Sequence, residues 1–262
     1  MARSSPSKAI KPATASTSLA LVDEQLATEI AGLKNSISQP SGNRIRAEAT
    51  GDFVLPDGTN IGNSFQAVIV DFVSRNTFYS SPYNPQNPAP PDCYAIGRDI
   101  GAMAPEQDSP ALQADKCATC PLNQFGSGSN GKSKACKNTR ELAVRIVDAE
   151  AGVDDAQLYT LSLPPTAIRS FDGAVATVMR SLNGPPLKAI LSVSARNKGT
   201  YAEISFNDPV PNPTYAQDFA RRSEVQDVLF RKPDFGAHQN QPQTARGRAA
   251  VPARRATPGP RR

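Results

Sequence analysis

Four cysteines, the full complement of the chain, fall within 44 residues as Cys93-x23-Cys117-x2-Cys120-x15-Cys136. A cysteine-poor chain that gathers all of them in one local cluster is most simply explained by a metal ion. Tetrahedral zinc takes four soft or borderline ligands, and a C-x2-C knuckle supplies two of them by folding its backbone beneath the ion. Two disulfides also account for an even count. Against them, the first 30 residues hold no apolar signal segment and the chain is unlike the small, cysteine-dense secreted type. An iron–sulfur cluster takes four thiolates as well, but the polar surround of Gly126, Gly128 and Gly131 is a poor setting for a reactive cluster. The expected site is therefore a structural zinc on Cys93, Cys117, Cys120 and Cys136, with an iron–sulfur cluster as the less favoured occupant. The only histidine, His238, lies in the C-terminal tail and outside this ligand set.

Around the cysteines stand Lys116, Lys132, Lys134, Lys137 and Arg140, with no acidic residue from 116 to 140. Such a run makes a local anion-binding surface, although four thiolates on one zinc leave a charge of about −2 that nearby lysines also relieve. The glycine-rich setting of three of these lysines favours a phosphate role. Aromatic residues supply the other half of a single-strand signature, because bases stack on exposed rings while flanking cations hold the backbone. Tyr79 and Tyr83 follow the long apolar run that contains Arg75, and Tyr201 stands near Arg196 and Lys198; all three tyrosines border turns. Phe72, in phase with Val68 and Val70, reads as core. Gly126 to Ser133, GSGSNGKS, fits the spacing of a nucleotide-binding Walker A loop, but the residues before it are no buried strand. No Ser-His-Asp or Cys-His constellation is available, so catalysis is not expected.

These residues need a scaffold. Arg46 to Leu55 alternates in part and stops at Pro56-Asp57-Gly58, a turn signal. Phe65 to Tyr79 is β-branched and aromatic, and the two segments together predict a hairpin with a long loop. Five prolines between Ser80 and Pro91 bar a central strand and deliver the chain to Cys93. Further strands are expected at Glu141 to Val147 and Gln157 to Leu163. Pro164-Pro165-Thr166 opens a helix to about Leu182, with Ile168, Phe171, Val175, Val178 and Leu182 on its apolar face, and Gly184-Pro185-Pro186 stops it. A second hairpin pairs Lys188 to Arg196 with Tyr201 to Phe206, and a final helix spans Tyr215 to Phe230. This order predicts a mainly β fold with helices, resembling a five-stranded OB barrel whose helix lies between its third and fourth strands, with the zinc loop inserted at about 84–140. Four strands precede the helix rather than three, so the barrel is elaborated or one strand is misassigned. A mixed α+β sheet is the alternative.

At 262 residues the chain can hold one domain with a large insertion or two small ones. The predicted arrangement is an N-terminal arm over 1–40, disordered or weakly helical through Leu19, Val22, Leu26, Ile30 and Leu33, a folded domain over 41–235, and a disordered basic tail over 236–262. The net charge of +5 is misleading, because that tail carries six arginines and no acid, which leaves 23 basic against 24 acidic residues elsewhere. Affinity for nucleic acid has to come from a local stripe and not from bulk charge. No apolar run approaches the length of about 18 residues that spans a membrane, and a cytoplasmic location is expected.

The blocks Cys117-Ala-Thr-Cys120-Pro121-Leu-Asn123-Gln-Phe125-Gly126-Ser127 and Gly131-Lys132-Ser-Lys134-Ala135-Cys136-Lys137 resemble a set of bacteriophage proteins of replication modules. More broadly the chain is similar to zinc-bearing phage single-stranded DNA-binding proteins whose OB barrel is interrupted by a metal loop. The resemblance covers about residues 90 to 145. Such proteins commonly end in an acidic tail that recruits replication partners, whereas this tail is basic, which favours an auxiliary DNA contact instead. The expectation is a non-enzymatic protein that protects single-stranded DNA in replication or recombination. Its predicted nucleic-acid surface comprises Arg75, Tyr79, Tyr83, Lys132, Lys134, Lys137, Arg140, Arg196, Lys198 and Tyr201. The partner is single-stranded DNA, with replication or transcription proteins as further partners and neither a membrane nor a small-molecule substrate. The alternative is a transcription regulator or polymerase-associated factor that docks through the zinc loop.

Overall fold

A computed structural model describes residues 43–82, 89–147 and 157–233. The N-terminal arm with its predicted helix, Tyr83 and the basic tail lie outside the described residues. The chain forms a mainly β fold. Its strands are β1 (Arg44–Ala47), β2 (Phe53–Val54), β3 (Ser64–Phe78), β4 (Cys93–Gly97), β5 (Lys137–Ile146), β6 (Leu158–Leu163), β7 (Ala189–Asn197) and β8 (Ala202–Pro211). They make one sheet in the order β2-β1-β6-β5-β3-β7-β8, with β4 paired to β3 beside this path. Every pair is antiparallel except β1 with β6. One core takes Ile45, Phe53, Phe65, Leu142, Leu161, Leu191 and Phe206 from across the sheet, so the sheet curls into a half-barrel around it. Among the described residues no helix is long and apolar enough to cross a membrane.

The long strand β3 organises the rest. Ala67, Val68, Ile69 and Val70 are all fully buried because both faces of the sheet are covered there, which explains the unbroken apolar run. Its register with β5 shifts between Ile69 and Asp71, and such a bulge reverses the alternation of faces. Before it, Phe65, Ala67 and Ile69 face the main core; beyond it, Phe72 does, packing edge-on against Phe171 at 5.0 Å. That reversal also sets Asn76 and Phe78 where they meet the cysteines.

α1 (Pro165–Leu182) begins with proline in its first turn and ends at Asn183 in the left-handed region, followed by Gly184-Pro185-Pro186. It buries Ala167, Phe171, Ala174 and Val178, while Val175 and Leu182 only flank the core. The buried stripe is thus rotated from the one expected, because alanines suit the close approach to the sheet. The β7–β8 hairpin forms as predicted, turning at Gly199 with φ of +89°.

Three predicted features differ. The segments at 46–55 and 65–79 do not pair; the first divides into β1 and β2, which pair with each other around Gly51. Gly51 has a φ of +96°, and a Cβ there would lie 3.0 Å from the Asn197 nitrogen. Gly51→Ala should therefore cost about 1–2 kcal/mol, read as a lower urea midpoint at unchanged slope. An unaltered midpoint would show that the turn relaxes freely. Next, the strand predicted from Glu141 starts at Lys137, which places Lys137 and Arg140 in the sheet.

Finally, the long C-terminal helix is broken into α2 (Tyr215–Ala220), a 3-10 turn over Arg221–Val225 and α3 (Gln226–Leu229). Each piece is fitted to the outer face of the sheet. Val225 and Leu229 pack on Val68, Val70 and Val73. The Arg222 Nε donates to the carbonyl of Val70, at 2.9 Å, in the bulge of β3. Asp71 is held by Arg98 and Gln226; burial pushes its carboxyl up, but these hydrogen bonds more than offset that and leave it below the usual range.

Candidate metal centre and cationic surface

The four cysteines converge. Cys93 opens β4 and pairs in register with Phe78 at the end of β3, while Lys137, immediately after Cys136, pairs with Thr77. Cys117 and Cys120 flank a 3-10 turn, and a second turn over Pro121–Asn123 follows. Backbone bonds tie these pieces together, from Cys117 N–H to the Met103 carbonyl at 2.9 Å and from Cys136 N–H to the Leu122 carbonyl at 2.8 Å. All four thiols are free and buried, and all four line one void together with Asn76, Phe78 and Leu122. That void measures about 20 Å³, room for roughly one water-sized sphere.

Burial pushes the Cys136 thiol up to about 12, and the other three cysteines add to the rise. Burial also raises Cys93, opposed by the backbone N–H of Gln113 and by Ser109. Cys117 is raised by burial too, and a hydrogen bond from the Asn76 side chain opposes it. These donors are the kind of outer-shell partner that stabilises metal thiolates. As the side chains stand, however, no group of three or more His, Cys, Asp or Glu among the described residues is disposed to hold an ion. Rotation about the Cα–Cβ bonds is the movement by which these four could take one ion.

The predicted nucleic-acid residues separate into two exposed groups and two arginines packed against protein, Arg75 half-buried and Arg140 buried. At the cysteine module, Lys132 and Lys137 are exposed, Lys134 is half-buried, and Tyr79 is 41% exposed. At the β7–β8 turn, Arg196, Lys198 and Tyr201 are exposed, with Lys198 paired to Glu203 at 3.1 Å. The groups lie toward opposite ends of β3, since Thr77 pairs with Lys137 and Ser64 with Ser194. Along a straight strand that separation reaches about 45 Å.

Arg75 and Arg140 are engaged within the protein. The Arg75 guanidinium donates to the carbonyls of Leu229 at 2.6 Å and Arg231 at 2.9 Å, so it clamps the C-terminal segment. Arg140 is 7% exposed and is drawn toward Asp172 of α1 at 3.5 Å. Alternation along β5 puts Arg140 on the face of Leu142, Val144 and Ile146 toward α1, while the bulge in β3 sets the face of Arg75. The Walker-like loop also departs from its pattern. It follows a 3-10 turn and leads into β5; Gly126 and Gly128 N–H bond the Ser133 carbonyl, and Lys132 and Ser133 N–H bond Asn130 Oδ1.

Lys116, Lys132, Lys134, Lys137 and Arg196 join none of the ion pairs among the described residues, which use Arg44, Arg98, Arg140, Arg145, Lys198, Arg221 and Lys232. Sequence reasoning passed over Phe125, which is 81% exposed on the cysteine module. Its signal was a lone large ring in a loop of Gly, Ser, Asn and Lys. No protein-family model, no curated protein and no solved structure matches this chain.

Proposed function

We propose that the chain is a non-enzymatic single-stranded DNA-binding protein built on an OB-type barrel, with a structural zinc on Cys93, Cys117, Cys120 and Cys136. The observation that carries this reading is the cationic module: lysines that join no ion pair among the described residues, displayed by a module whose base is a shared pocket of four buried thiols. In the barrel reading, β3, β5 and β6 are the first three strands, α1 precedes the fourth, and β7 and β8 are the last two. The strand order supports it, because β3 pairs with both β5 and β7. Strands β1, β2 and β4 are then elaborations. OB barrels bind oligonucleotides with the second and third strands and with the loops after the first and fourth. Those two loops here are the cysteine module and the turn bearing Lys198. Zinc would hold the module's backbone together; DNA phosphates would meet Lys132, Lys137 and Arg196.

Fluorescence anisotropy of labelled oligo-dT at two salt concentrations tests the reading. Binding should be weakly sequence-selective and should fall steeply as salt rises, with a log–log slope of roughly −0.7 per phosphate contact. Absence of binding at low salt would end it.

A further inference from the structure

Single exposed hydrophobic residues are common on protein surfaces and mean little alone. Phe125 differs because it is held. The Lys134 ammonium lies 5.2 Å from its ring centroid. That ammonium donates to Asn138 Oδ1 at 3.0 Å and to Asn123 Oδ1 at 3.3 Å. Asn138 Nδ2 donates in turn to Asn76 Oδ1 at 2.6 Å and Asn123 Oδ1 at 2.9 Å. Asn123 Nδ2 donates to the Cys117 carbonyl at 2.9 Å, and Asn76 lines the thiol pocket beside Cys117. A continuous polar chain thus runs from the thiol pocket through Asn76, Asn138 and Lys134 to the exposed ring. The amides of Asn138 and Asn123 are oriented consistently, the oxygen of each accepting and the nitrogen donating.

We propose that Phe125 is the platform on which a base of single-stranded DNA stacks, and that Lys134, Asn138, Asn123 and Asn76 are positioning residues that orient it from the thiol pocket. This rests on the DNA-binding reading above. A ring backed by a cation on one side and otherwise open to solvent presents a free π-face, and every base has one. Lys116, Lys132 and Lys137, exposed on the same cysteine module, match the phosphates that flank a stacked base. Lys134 is accordingly a support for the ring, its ammonium engaged by two asparagines, and not a mobile phosphate hook.

The full chain, purified with its metal, is titrated with oligo-dT alongside Phe125→Ala, Phe125→Trp and Asn138→Ala, with zinc content measured in each. Phe125→Ala should bind roughly 5- to 100-fold more weakly at unchanged zinc content, and the salt slope should stay the same because no charge is lost. The chain contains no tryptophan, so Phe125→Trp is a single-site reporter whose emission should be quenched on saturation. Asn138→Ala should weaken binding with zinc retained, yet add nothing in the Phe125→Ala background. If the unaltered chain binds and Phe125→Ala binds equally well, or if the tryptophan emission ignores the oligonucleotide, the inference falls and the DNA reading stands. A chain that binds no oligonucleotide overturns both. Loss of a co-purifying protein from Phe125→Ala without loss of DNA affinity would instead assign the ring to protein docking.

Discussion

Cys136→Ser is expected to take the proposed zinc from one ion per chain to a small fraction of that, and to lower the melting temperature by many degrees. A structural zinc held by four thiolates contributes binding free energy that is also folding free energy, about 10–16 kcal/mol in small zinc peptides at neutral pH. In this chain the module leans on an existing sheet, so loss of the ion should loosen residues 93–136 first. Cys136 is the sharpest probe because it joins the module to β5 and packs with Phe78 and Cys93. Elemental analysis and thermal melts of the chain and the variant check this. A chelator should reproduce the variant's melting temperature in the parent. Metal-free protein with paired disulfides, or a brown iron-containing preparation, would defeat the zinc assignment.

The second large effect lies far from the cysteines. Asp218→Ala should cost about 3–5 kcal/mol, because it withdraws the carboxylate that compensates a buried arginine. Asp218 is 2% exposed and accepts from Arg145 Nε at 2.6 Å, from Arg145 Nη2 at 2.9 Å and from Asn212 at 2.8 Å. Burial alone pushes its carboxyl up, but the hydrogen bonds and charge of Arg145, with Asn212, more than offset this and leave it below its ordinary 3.8. A depressed folded pKa stabilises the protein above the unfolded value, and that contribution disappears as pH falls through the folded pKa. The gap between parent and variant in urea midpoint should therefore be widest near neutrality and narrow below about pH 4. A gap independent of pH would show that Asp218 acts by packing alone. Replacing Arg145 and Asp218 together with apolar residues should recover much of the loss.

This pair also shows why some of the fold escaped a reading along the chain. Arg145 and Asp218 are 73 residues apart, and Arg75 meets its carbonyl partners 154 and 156 residues away. Arg75 in sequence is only a cation near aromatic residues; which side of the sheet it faces depends on a one-residue bulge that no local pattern announces. The same blindness broke the predicted Tyr215–Phe230 helix. Its apolar spacing was helical, but Arg222, Gln226 and Leu229 each answer to a different point on β3.

The sequence by itself determined what local chemistry can write: the four cysteines and their spacing, the long apolar strand, the proline-started helix, the Asn197-Lys198-Gly199 turn and the lysines without acids between them. Each depends on neighbours within a few residues or on a count. Only the tertiary structure decided that the four thiols line one void, that Arg75 and Arg140 turn inward, and that Lys134 stands behind Phe125 on a chain of asparagines. These follow from strand register and face, which long-range packing sets and which a single-residue shift would reverse.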